Sequence, residues 1–266
     1  MKTLAKRLAL CTVLALGLNA FSAESKEPVR DTAKPTIVLV HGAFADSSSW
    51  NGVATQLLAR GYPVAAVANP LRSVKGDVAY LDSLIHSISG PIVLVGHSYG
   101  GMVISNADTT SHRIKGLVYV SAFAPETGET AIELSAISPG STLGSALLPP
   151  FPLPDGGNDL YIEPAKFHQQ FAADIPAADA AVAAITQRPV TDKALNEPSG
   201  PPAWASIPSW SIYGSMDKNI PPAVLAFMAR RARSRRIVEV EGASHAVMIS
   251  HPDEVARVII EAAESY

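Results

Sequence analysis

Residues 92–100 of this 266-residue chain are Ile-Val-Leu-Val-Gly-His-Ser-Tyr-Gly, and this stretch decides the fold. Its first four residues are apolar and mostly β-branched, which is typical of a buried parallel strand. Residues 101–107 begin a helix pattern. Between them, Ser98 occupies the centre of a Gly-x-Ser-x-Gly motif, and strand, sharp turn and helix together predict a nucleophile elbow. Glycines are expected on both sides of the serine because a Cβ there would collide with neighbouring backbone.

A serine nucleophile requires a base and an acid, which the motif places later in the chain, the acid first. Residues 236–240 alternate like a strand and lead into a loop that ends at His245. Residues 210–214 form another predicted strand, and Asp217 follows its carboxyl end. Because open α/β sheets gather their chemistry at the carboxyl ends of strands, we predict the triad Ser98, Asp217 and His245.

Other candidates are weaker. Glu126, which follows the predicted strand at residues 117–121, is the one rival acid. His41 is expected to hold its loop by hydrogen bonds rather than to act in catalysis. His97 lies inside the elbow, and its side chain is expected to point away from the nucleophile.

An oxyanion hole requires two backbone N–H groups aimed at the developing negative charge. One is expected from Tyr99, the residue after the nucleophile. The other is expected from the loop after the first core strand, residues 36–40, where Gly42 permits a tight turn. We assign this second donor to Ala43.

These motifs together resemble the α/β-hydrolase superfamily, within it the small-cap branch of plant methylesterases, hydroxynitrile lyases and related bacterial esterases. The resemblance covers residues 36–264 and implies the same triad and oxyanion donors. Its matching segments are Val38–Ala43, Gly96–Met102, Tyr119–Pro125, Asp217–Pro221 and Glu241–His245. One departure favours the esterases: hydroxynitrile lyases carry a lysine directly after the catalytic histidine and a threonine at the position of Ala43, whereas Ala246 follows His245 here.

The alternation of strands and helices predicts an α/β fold with about six mainly parallel strands and helices on both faces. Core strands are expected at 36–40, 63–68, 91–96, 116–122, 209–214 and 236–241. Core helices are expected at 47–60, 77–88, 99–109, 221–232 and 252–264. The core therefore spans 23–122 and 208–266. The proline-rich insertion 123–207 is predicted to be a cap with one or two helices in 167–186, interrupted at Pro176.

The N-terminus predicts export. Three basic residues precede an apolar run from Leu8 to Leu18, and small residues follow it, so residues 1–22 are interpreted as a signal peptide too short to span a bilayer. Its removal would leave 18 Lys and Arg against 24 Asp and Glu, and no cysteine. An acidic chain argues against nucleic-acid binding. Neither a zinc-type spacing nor a phosphate loop is present in the sequence, so no metal or cofactor is expected.

The sequence therefore predicts a secreted or periplasmic serine hydrolase acting on small to medium, largely apolar carboxylic esters. Five apolar residues beside the catalytic loops are expected to line the pocket: Phe44, Phe123, Met216, Ile220 and Met248. A lyase or cofactor-free oxygenase that uses the histidine alone, and a ligand-binding protein with an idle triad, remain open on the same fold. Haloalkane dehalogenation is disfavoured because it needs an aspartate in place of Ser98.

Overall fold

The computed structural model describes residues 34–154 and 156–266. Its strands, in chain order, are β1 (Thr36–Val40), β2 (Val64–Val67), β3 (Ile92–His97), β4 (Ile114–Val120), β5 (Phe151–Pro152), β6 (Asn158–Leu160), β7 (Val190–Thr191), β8 (Ser209–Gly214) and β9 (Ile237–Val240). Six of them form one sheet in the order β2-β1-β3-β4-β8-β9, and all its neighbours pair in parallel. The predicted α/β architecture with a six-stranded parallel sheet is confirmed.

The helices cover both faces of this sheet. In chain order they are α1 (Asn51–Ala59), α2 (Val74–Ser87), α3 (Gly100–Ser105), α4 (Ala131–Ala136), α5 (Leu143–Ala146), α6 (Pro164–Phe171), α7 (Ala177–Thr186), α8 (Asp192–Asn196), α9 (Pro222–Arg231), α10 (Val247–Ser250) and α11 (Pro252–Glu264). Helices α1 and α11 pack on one face, and α2, α3 and α9 pack on the other.

Two apolar cores follow from the period of two along each strand. In β1, Ile37 and Leu39 join the cluster under α1 and α11, whereas Val38 and Val40 join the cluster under the opposite helices. All four side chains are fully buried. Successive strand residues point to opposite faces, so a strand covered on both sides has to be apolar throughout.

Three helix boundaries differ from the sequence prediction by three residues or more. Helix α1 begins at Asn51 rather than at residue 47, because Ser47–Trp50 form a separate 3₁₀ helix. Helix α2 begins at Val74 rather than at residue 77, because the Ser73 side chain caps it by accepting from the Gly76 N–H. Helix α3 ends at Ser105 rather than at residue 109. There the Asn106 side chain donates to a carbonyl of the helix and accepts the backbone N–H of Gly200, which ties the helix end to the insertion.

The insertion between β4 and β8 contains five α-helices, α4 to α8, and one short 3₁₀ helix, Ala203–Ala205, among its described residues. Helices α6 and α7 lie where helices were predicted, and Pro176 precedes α7. The insertion also forms an antiparallel sheet in the order β5-β6-β7, which was not predicted. Its strands have only two or three residues, too few to produce a detectable alternation.

The predicted signal peptide, residues 1–22, lies outside the described residues. Among the residues that are described, no helix is both long and apolar enough to cross a membrane.

Candidate active site

Ser98 follows β3 at the centre of the sheet, in a strained turn. Its φ is +53°, a left-handed conformation that few side chains adopt. A Cβ at Gly96 would lie 2.7 Å from the Gly100 carbonyl oxygen, and a Cβ at Gly100 would lie 2.4 Å from the Val40 oxygen. Both flanking glycines are therefore steric requirements of the turn.

Asp217 and His245 meet at the carboxyl ends of β8 and β9. Nδ1 of His245 donates to Oδ2 of Asp217 over 2.6 Å, and neither side chain is exposed to solvent. The second oxygen, Oδ1, accepts the backbone N–H groups of Asn219 (2.8 Å) and Ile220 (2.9 Å). These bonds fix both the carboxylate and the imidazole ring.

The approach of these two loops depends on Gly214, the last residue of β8. A Cβ at this position would lie 2.2 Å from the carbonyl oxygen of Ala243 and 2.5 Å from that of Ser244. The loop that carries His245 thus runs directly against the strand that carries Asp217.

Nε2 of His245 is buried and has no hydrogen-bond partner among the described residues, Ser98 Oγ included. An unpaired nitrogen in a buried site costs about 1–3 kcal/mol. Catalytic hydrogen bonds are often long in the absence of substrate and tighten during the reaction. The arrangement leaves one ring nitrogen held by the acid and the other free to accept a proton.

The predicted oxyanion donors lie beside Ser98. Ala43 and Tyr99 line the same cavity as Ser98, and neither backbone N–H has an acceptor within the described part of the chain. Gly42 lets this loop pass close to the elbow, since a Cβ there would lie 2.5 Å from the Cβ of Ser98. Two free N–H groups next to the serine can stabilise an oxyanion.

His41 holds the oxyanion loop in place. Its Nδ1–H donates to the Gly42 carbonyl (2.9 Å), and its Nε2 accepts the Asn69 backbone N–H (3.1 Å). Burial lowers the pKa of His41 to about 4, so the ring is neutral at pH 7 with its proton on Nδ1. This matches the loop-holding role expected from the sequence.

A cavity of about 190 Å³ is lined by Ser98 and by residues of the insertion. Three of the predicted pocket residues, Phe44, Phe123 and Ile220, line it. Other apolar residues in its wall come from the insertion: Ala131, Ile132, Leu143, Leu147, Leu160 and Leu195. All lining residues are uncharged at neutral pH, so the cavity suits a neutral, largely apolar group.

The sequence of residues 37–258 matches the model of the alpha/beta hydrolase family. The chain belongs to this family. Curated relatives include the alpha-hydroxynitrile lyase of Arabidopsis thaliana, 25% identical over 84% of this chain and 94% of that protein, and esterase PIR7B of Oryza sativa subsp. japonica, 24% identical over 90% and 99%. The crystal structure of polyneuridine aldehyde esterase is similar in fold, with a TM-score of 0.75 and 21% identity over 86% of this chain and 98% of that one.

In this alpha/beta hydrolase, two of the predicted pocket residues lie away from the cavity. Met216 is 56% exposed on the loop before Asp217, and Met248 is fully buried in the apolar core under α1 and α11. Both are near the catalytic loops in sequence, but α10 directs Met248 towards the core. The rival acid Glu126 is exposed, and Asp217 is the acid that His245 contacts.

Two residues that position His245 were not identified from the sequence. The His97 ring lies under it at 4.7 Å between centroids, and Nε2–H of His97 donates to the His245 carbonyl (3.1 Å). Burial, with the nearby His245, holds the pKa of His97 well below its usual value. Phe171 of α6 packs edge-on against His245 at 5.0 Å, and its carbonyl accepts the Ala246 N–H. Phe171 lies in the insertion, far in sequence from the motifs that carry Ser98, Asp217 and His245, so no motif predicts its contact with His245.

Within residues 34–154 and 156–266, no group of three or more His, Cys, Asp or Glu side chains is placed to hold a metal ion.

Proposed function

We propose that this alpha/beta hydrolase is a serine-dependent carboxylic ester hydrolase that works through an acyl-enzyme intermediate. The observation that carries the proposal is the buried His245–Asp217 pair, bonded over 2.6 Å with Nε2 left unpaired. A nitrogen held in this way is oriented as a general base for Ser98. Esterase PIR7B, among the relatives, supports the same reaction class.

In the proposed reaction, Ser98 Oγ attacks the ester carbonyl while Nε2 of His245 takes its proton. The negative charge on the carbonyl oxygen is stabilised by the N–H groups of Ala43 and Tyr99. His245 then returns the proton to the leaving alcohol. A water molecule, deprotonated by the same nitrogen, attacks the acyl-enzyme and releases the acid, and Asp217 stabilises the imidazolium in both steps.

The uncharged lining of the cavity supports the proposal that the substrates are neutral, largely apolar and of small to medium size. A carboxylate or an ammonium group placed there would lose its hydration without an opposite charge to compensate. The lining residues supply none among the described side chains.

Hydrolysis is favoured over cyanide elimination by Ala246. It is fully buried directly after His245, where hydroxynitrile lyases have a lysine. The site thus lacks the ammonium that would accept a cyanide charge at that position.

The test is hydrolysis of p-nitrophenyl esters with acyl chains of increasing length. Ser98→Ala and His245→Ala are each expected to lower kcat by several orders of magnitude. His86→Ala is the matched histidine control, since His86 is an exposed residue of α2 paired with Asp108. Release that persists in Ser98→Ala would refute the nucleophile and point to a reaction that uses the histidine alone.

We further propose that the enzyme is exported and that residues 1–22 are removed. This rests on the basic, apolar and small-residue segments of the N-terminus. N-terminal sequencing of protein from a secreting bacterial host tests it: a mature chain beginning near residue 23 is expected, and an intact Met1 in an exported protein would contradict it.

A further inference from the structure

Most polar side chains in the cavity wall already donate their hydrogens to acceptors within the protein. The Tyr99 hydroxyl donates to Oδ2 of Asp77, which is buried, over 2.9 Å. The Ser135 hydroxyl donates to the carbonyl four residues earlier in α4, and the Ser141 hydroxyl donates to the Asn219 carbonyl, each over 2.9 Å. None of these three groups keeps a hydrogen for a ligand.

The side-chain amide of Asn219, in contrast, has hydrogens that no acceptor in the described part of the chain binds. Its Oδ1 accepts Nε2–H of Gln170 over 2.7 Å. The orientation of Gln170 is fixed because the same nitrogen donates to the Lys218 carbonyl, while Oε1 accepts the Thr142 hydroxyl. A flipped Gln170 amide would bring its oxygen against two other oxygens. The nitrogen of the Asn219 amide, Nδ2, is therefore the end that remains, and it has no acceptor in the described part of the chain.

This free amide belongs to a residue that lines the cavity of Ser98 and contacts Asp217. Asn219 lines the cavity that contains Ser98, is only 3% exposed, and donates its backbone N–H to the catalytic Asp217. Nδ2 has no partner in the described part of the chain, yet it is not among the fully buried unpaired atoms there, so it keeps contact with solvent in the cavity. A substrate that fills the cavity would remove this solvent, and an unpaired N–H would then be costly. An acceptor oxygen supplied by the substrate would pair it.

Resting on the proposed ester hydrolysis, we infer that Asn219 determines specificity by donating from Nδ2 to an acceptor oxygen in the substrate. This oxygen is a ketone, ether or hydroxyl oxygen in the part of the ester that fills the cavity. The enzyme thus prefers oxygen-substituted esters to alkyl esters of the same shape. Gln170, from the insertion, is the positioning residue that keeps the donor turned into the cavity.

Isosteric pairs of esters test the inference, because an ether oxygen replaces a methylene at the same chain length. On the acyl side the pair is p-nitrophenyl 3-methoxypropanoate and p-nitrophenyl pentanoate. On the alcohol side it is 2-methoxyethyl acetate and butyl acetate. Each kcat/KM ratio is compared between the wild-type enzyme and Asn219→Leu, so that differences in intrinsic ester reactivity cancel.

Asn219→Leu is expected to lower the ether-to-alkyl ratio about 5- to 10-fold in one of the two series, as the loss of one neutral hydrogen bond predicts. The affected series identifies which side of the ester fills the cavity. Ser135→Ala removes a committed hydroxyl from the same wall and is expected to leave the ratio unchanged. Equal losses for both members of each pair in Asn219→Leu would overturn the inference and assign Asn219 a structural role. Asn219→Ala provides the same comparison if the leucine variant does not fold.

Calorimetry separates this inference from the proposed function. Both pairs of esters are titrated into Ser98→Ala and into Ser98→Ala combined with Asn219→Leu. A selective loss of affinity for the ether member of either pair would support the donor even if the wild-type enzyme hydrolysed no ester, a result that would refute only the proposed function. In that case, unchanged affinity ratios in both pairs would overturn the inference.

Discussion

Asp217→Asn is the most informative substitution in this enzyme, because the surrounding bonds dictate how the new amide must lie. Oδ1 of Asp217 accepts the backbone N–H groups of Asn219 and Ile220, and Oδ2 accepts Nδ1–H of His245. The amide oxygen has to remain on the two backbone donors. Its NH₂ group then faces Nδ1, which must give up its proton to avoid two opposing donors. The proton moves to Nε2, the nitrogen that should accept from Ser98.

The expected loss is about 10⁴-fold in kcat, as for a triad histidine held in the wrong tautomer, or about 5 kcal/mol of barrier. Hydrolysis of a p-nitrophenyl ester measures the loss, and ¹⁵N NMR of His245 reports the tautomer directly. The change is isosteric, so the melting temperature controls for folding. Activity within tenfold of wild type would refute the reasoning. So would an Asp217→Ala enzyme much less active than Asp217→Asn, since alanine presents no opposing donor.

Three further results are expected. Gly101→Ala places a Cβ 2.0 Å from the Phe123 carbonyl oxygen. The melting temperature measured by calorimetry should therefore fall by about 5–10 °C. An unchanged melting temperature would contradict this packing. His41, with its pKa lowered to about 4 by burial, binds a proton less readily than in the unfolded chain. Its contribution to stability is therefore lost as pH falls from about 6.5 towards 4, and its NMR signals should not titrate above pH 5; a midpoint near 6.5 would exclude the buried ring. Arg231 makes two hydrogen bonds to the Glu129 carboxylate. A double-mutant cycle with Arg231→Met and Glu129→Gln, measured by urea unfolding, should therefore give a coupling free energy of about 1–2 kcal/mol. Zero coupling would show that the pair does not contribute to stability.

The parts of the site that were accessible from the sequence are those fixed by local geometry. A serine between two glycines after an apolar strand has few ways to fold, and the structure has Ser98 in the strained turn that the motif predicts. Asp217 and His245 follow strands whose carboxyl ends meet at one edge, and the structure joins them directly. The shared carboxyl edge of a parallel sheet was enough to predict that they lie near each other.

The walls of the pocket were less predictable, because position along the chain does not determine direction. Met216 and Met248 neighbour residues of the proposed triad in sequence, yet one lies in solvent and the other in the core. The insertion supplies much of the wall from short helices, and its antiparallel strands are too short to leave a pattern.

The sequence by itself therefore determined the parallel sheet, the elbow and the residues of the proposed triad, since strand periodicity and steric requirements at glycine are local properties. Only the tertiary structure decided which groups remain free. His245 Nε2 and Asn219 Nδ2 are distinguished by the absence of a partner among the described residues, while Gln170 and Phe171 hold the catalytic loops from the distant insertion. Whether a polar atom is paired depends on every neighbour in three dimensions, and no spacing along the chain encodes it.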